Sequence, residues 1–169
     1  MNYLVIILRL IHIVAGVFWV GSALMNHFFL SPTVAATAEA GQKFMAHLVT
    51  KAHLSTRIAI SAIVTVLAGS WLYAIDSQDL TSAWSNSGPG LGFGIGGTFA
   101  IIGLVFGLLV GINSSTLGNL GAEIKGKPTT EQLTKIQKAQ KQLSYAGPIS
   151  TLALVLALIC MATARYWVF

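Results

Sequence analysis

Residues 3–30 read YLVIILRLIHIVAGVFWVGSALMNHFFL, and Arg9 is the one formally charged residue among them. A helix needs about 20 mostly apolar residues to cross the ~30 Å hydrocarbon layer, and this run exceeds that length. A barrel strand needs only about 10 residues and alternates lipid-facing with lumen-facing positions. This run is too long for one and does not alternate. Three further runs have the same character, at about 53–75, 93–117 and 146–169. Pro, Gly, Ser, Asn and nearly all the charge fall between them. The expected fold is an all-α integral membrane four-helix bundle in which residues 1–169 form a single membrane domain.

Composition agrees. Of 169 residues 54% are hydrophobic and 9% are charged, against about 25% charged in soluble domains. An ordinary soluble enzyme, a disordered chain and a secreted disulfide scaffold are excluded. Cys160 is the single cysteine, so there is no intrachain disulfide and no multi-cysteine metal site. The net charge of +5 reads as membrane orientation rather than as nucleic-acid binding. Lys43, Lys51 and Arg57 lie around the first connection, and Lys125, Lys127, Lys135, Lys138 and Lys141 in the third. Arg9 and Arg165 are left for the other side, with Asp76 and Asp79. The positive-inside rule then puts both basic connections in the cytoplasm and both termini outside a bacterial inner membrane. Only Met1 and Asn2 precede the first apolar run, which reads as a retained helix rather than a signal peptide.

The third connection has a pattern of its own. Thr129 and Gln132 have capping-box spacing, Glu131 and Lys135 are an i,i+4 pair, and Leu133, Ile136 and Leu143 can share a face. A short amphipathic helix near the head groups, or a solvated linker, fits equally. Gly147-Pro148 is the expected start or kink of the fourth span.

Two sets of residues carry chemistry or packing. Gly103, Gly107 and Gly111 recur every four residues in the third span, a face that permits close helix approach or admits a porphyrin edge. The GxGxxG string at 92–97 lacks the strand and crossover of a dinucleotide fold and is discarded. In the first span Arg9, His12, Gly16, Trp19, Ala23, Asn26 and His27 fall on one broad face. Lipid cannot hydrogen-bond such groups, so the stripe should look inward, and His12 deep in the span is a candidate for a cofactor or proton role. His27 is near the basic end, where His47 and His53 also fall. His27 with His47 or His53 suits a bis-imidazole iron site, and the three together suit copper or zinc. Arg57, four residues after His53, suits a propionate or other anion. For His12, Cys160 and Met161 are the nearest second ligands by depth. The opposing reading makes His12 an interhelical hydrogen bond and the others interfacial side chains.

Leu10-Ile11-His12-Ile13, Trp19-Val20-Gly21 and Pro32 together resemble the CopD-like group of small bacterial membrane proteins, which includes copper-resistance D domains. The pattern is also distantly similar to HemJ, a haem b-containing membrane oxidase, with Phe44-Met45, Arg57 and Gly69 fitting its layout. HemJ carries a Pro-Arg pair late in its first helix where this chain has Leu24-Met25-Asn26-His27. The resemblance implies a haem b or copper role with His12 at the ligand position. Expected, then, is a haem b-binding membrane protein with a redox or electron-transfer role, linked to quinone or porphyrinogen chemistry. In it His12, His27, His53 and Met161 are the candidate iron ligands, and Trp19, Arg57, Gly103 and Gly107 surround the cofactor. The alternatives are copper handling and a non-catalytic subunit or assembly partner. Against copper, Met1, Met25, Met45 and Met161 form no donor cluster. The expected partners are the lipid bilayer and either a membrane redox complex or further copies of the chain.

Overall fold

The computed structural model describes residues 3–124 and 126–168; Met1, Asn2, Lys125 and Phe169, used above, lie outside the described residues. These are almost entirely helical and include no strand. Helix α1 runs Tyr3–Ala36, α2 Ala38–Thr50, α3 Leu54–Ser77, α4 Gly88–Glu123 and α5 Thr130–Thr163. All but α2 are long and apolar enough to cross a membrane. The chain is an all-α, multi-pass membrane helical bundle.

The helices outrun the apolar segments. At 1.5 Å per residue the 34 residues of α1 and the 36 of α4 extend roughly 50 Å, well beyond the ~30 Å hydrocarbon layer. Only α3, with 24 residues, roughly matches that layer. The excess of α1 and α5, and about half that of α4, lies at the end that holds the basic residues, where α2 folds back on α1. Gly41 makes this return possible, since a Cβ there would lie 2.7 Å from the Val34 Cα. The amphipathic segment of the third connection is the first part of α5 itself. It starts at a complete capping box between Thr129 and Gln132 and carries the Glu131–Lys135 ion pair, 2.8 Å. Pro148 lies inside α5 and does not begin it.

The strongest helix pairings are α4 with α5 and α1 with α3. A small core of Trp19, Ala62 and Leu154 joins them, with Val20, Ala23, Ile58, Val66 and Leu104 packed around it. At the opposite end Tyr73, Trp84 and Phe93 make an aromatic cluster, Tyr73 to Trp84 edge-on at 5.4 Å and Trp84 to Phe93 stacked at 6.4 Å.

Candidate functional site

His12 faces α3. Its Nδ1 lies 2.8 Å from the backbone carbonyl oxygen of Thr65. The ring fits a notch at Gly69, where a Cβ would come within 2.6 Å of His12 Cε1 and 2.8 Å of Nδ1. One turn on, Gly16 brings its backbone to the same Thr65, whose Cγ2 is 3.4 Å from the Cβ position. A carbonyl only accepts, so the Nδ1–H donates and the proton is fixed on that nitrogen. In the neutral ring the lone pair is then on Nε2, which has no hydrogen-bond partner among the described residues.

Seven residues along α1, Trp19 is 2% exposed and sits in the core. Its indole nitrogen is 4.0 Å from the Cβ position of Gly107. The three glycines of α4 do not present one face to one neighbour. A Cβ at Gly103 would meet Leu154 of α5 at 2.7 Å, one at Gly107 would meet Ser150 of α5 at 3.3 Å, and one at Gly111 would meet Ser55 of α3 at 3.7 Å. Four residues turn a helix by 400°, so each step drifts about 40°, enough to carry the row from α5 to α3. At Gly103 the close approach is cemented by Ser150, whose hydroxyl donates to the Gly103 carbonyl at 2.9 Å.

The remaining candidates are dispersed. His27 is half-buried, edge-on to Phe28 at 4.9 Å and against α5 at Gly147, whose Cβ position is 3.9 Å from its Nδ1. His53 is exposed and caps α3 in the left-handed region at φ 52, a conformation in which His is enriched. His47 and Arg57 are exposed. Among the described residues no three His, Cys, Asp or Glu side chains gather as a metal group, so the three-histidine copper or zinc arrangement is not formed. Met161 packs on α4 at Gly96, its Cγ 2.8 Å from the Cβ position, with Cys160 beside it at 3.3 Å. His12 is thus engaged with α3 and Met161 with α4. Arg9, placed on the inward stripe by its spacing, is exposed.

A cavity of about 520 Å³ opens between α1, α3 and α4 toward the basic end. Trp19, Ala62, Leu104 and Gly107 form its deeper, apolar part, and Asn26, Ser55, Ser114, Ser115 and Asn119 line it nearer the basic end. Asn26 begins a π-helical turn, Asn26–Leu30, a distortion frequent at functional sites. Its Oδ1 is buried without a hydrogen-bond partner. His12 does not line this cavity. Sequence reasoning placed Asn26 on the inward stripe but did not select it; Gly69 entered only through the resemblance, and Thr65 and the serines were missed. The Ser114-Ser115 doublet inside an apolar run was the available signal.

Compared with protein-family models, curated proteins and solved structures, the chain finds no match.

Proposed function

We propose that this chain is a haem b-binding membrane protein that passes electrons, with His12 as an iron ligand. One observation carries the reading: the bond from His12 Nδ1 to the Thr65 carbonyl leaves Nε2 as the free donor atom. Ligating histidines are commonly held in this way. Haem, when bound, supplies one-electron chemistry whose potential follows from axial ligation and burial. The chain's own residues would do the rest. Thr65 fixes the tautomer, Gly69 leaves room for the ring, and the apolar side chains of α1 around His12 keep water away. Trp19 would act as a core anchor that fixes α1 against α3 and α5.

Copper handling has less support, because among the described residues His27, His47 and His53 form no group of three or more His, Cys, Asp or Glu side chains. The finer placement is part of the same proposal: a bacterial inner membrane, the basic end in the cytoplasm, both termini outside, and association with a membrane redox complex or further copies of the chain.

The test is a reduced-minus-oxidised spectrum with a pyridine haemochrome assay on detergent-purified protein. Near-stoichiometric b-type haem is expected. His12→Ala should lose haem or turn a low-spin spectrum high-spin. His12→Gln keeps a donor for Thr65 but not a strong ligand, so it should do the same. Wild-type haem content and spectrum in His12→Gln would reduce His12 to an interhelical hydrogen bond. Haem-free and copper-free wild-type protein would favour the subunit reading. Met161→Leu should leave the spectrum unchanged, given its seat on Gly96.

A further inference from the structure

We infer that the cavity between α1, α3 and α4 binds an uncharged amphiphile whose head group carries hydroxyl or carbonyl oxygens. The inference is independent of iron ligation at His12, which lies outside the cavity.

Three observations carry it. The first is size: about 520 Å³ falls within the ordinary range of small-molecule sites. The second is the absence of charge, since none of the described residues that line it is Asp, Glu, Lys, Arg or His. A charged head group would be left uncompensated there at high cost. The third is a set of polar groups with unused hydrogen-bonding capacity. In this protein Ser61, Thr65, Thr98 and Thr163, and Thr116 on the cavity wall itself, bond back to a carbonyl of their own helix, the usual way a helical hydroxyl is satisfied in lipid. Ser55, Ser114 and Ser115, which line the cavity, make no such bond, and Asn26 beside them is unpaired as well. A carboxamide both donates and accepts, so with three hydroxyls it matches a neutral oxygen-bearing head group. The apolar part around Trp19, Ala62 and Leu104 takes the hydrophobic body of the same molecule. Gly107 and Gly111, without side chains, widen the slot on the α4 side.

Two kinds of membrane-soluble molecule share this chemistry, a quinone ring and a glycerol ester. The experiment separates them with decyl-ubiquinone and monoolein as probes, and with oleate at pH 8 as the charged control. Binding is counted by native mass spectrometry and by the rise in Tm of the purified protein. At least one neutral probe should bind, and oleate should bind at least about tenfold more weakly. Asn26→Leu, close in volume, should weaken the neutral probe by about tenfold, the scale of one hydrogen bond. The same variant should raise the Tm of the ligand-free protein by relieving an unpaired buried acceptor. Ala59→Phe, on the α3 wall, should abolish binding by filling the space. Both variants should keep their effect in a His12→Gln background. The inference is overturned if neither neutral probe binds, if oleate binds as tightly, or if folded Asn26→Leu and Ala59→Phe proteins bind like wild type.

Discussion

The His12 ring and the Gly69 backbone occupy complementary space, so a side chain at residue 69 is a direct probe of the histidine. Gly69→Val would drive Cβ into a ring 2.6 Å away. The ring can swing, but only by giving up Thr65. We expect a loss of ~1–3 kcal/mol, the cost of overpacking, seen as a lower Tm. Under the haem reading the spectrum should change with the histidine left in place. Gly103→Leu tests packing alone, because it strikes Leu154, itself 2% exposed. A similar loss is expected, with no effect on a His12 spectrum. The inward placement of His12 was legible in the sequence, since an imidazole among Leu, Ile and Val has few reasons to be there. Thr65 was not. Its contribution is a backbone carbonyl, which every residue owns, and only the register between α1 and α3 selects it. The left-handed N-cap that His53 forms on α3 was not legible for a related reason: it belongs to the backbone and not to the side-chain chemistry.

The long helices owe their extra turns to local signals more than to burial. The Thr129 cap on α5 is exposed, so Thr129→Ala should cost about 1 kcal/mol and fray only the first turns. Hydrogen exchange should then quicken at residues 130–136 and stay unchanged beyond Pro148. On α2 the Glu39 carboxyl is held below the usual carboxylate range by its hydrogen bond and charge contact with Lys43, 2.7 Å away. A lowered acid pKa stabilises above the unfolded value, and the effect fades as pH falls through the folded one. The pair is fully exposed, so the fading should show only as slightly faster exchange in α2. The four spans were readable because lipid demands unbroken apolar runs. Of their extensions only the α5 start was, through the Thr129–Gln132 spacing; the others were not, because a helix leaving the membrane no longer needs an apolar face. Gly147-Pro148 read as a start or a kink of the fourth span; the helix does not start there but runs on through Pro148, which membrane helices tolerate when neighbours satisfy the freed backbone groups.

The molecule exposes 10493 Å², whereas a compact soluble monomer of 17.9 kDa would expose about 8,000 Å². Much of that exposure is large apolar side chains, among them Ile7, Val14, Phe18, Ile63, Leu67, Ile101, Val105, Leu152 and Ile159, as expected of helices sheathed in lipid. Orientation is tested at this scale: a reporter active only in the periplasm should give signal after residue 168 and none near Gly126, and the reverse would overturn the proposed direction. The pairing of α1 with α3 and of α4 with α5 bears on biosynthesis. Each strongly joined pair leaves the ribosome as a neighbouring unit, so the first can settle in the bilayer before the second has been translated. The two need not share a covalent chain to find each other. Cells that synthesise residues 1–80 and 81–169 as separate polypeptides should therefore assemble a complex that copurifies, and failure to copurify would mean that the α3–α4 connection is required for assembly.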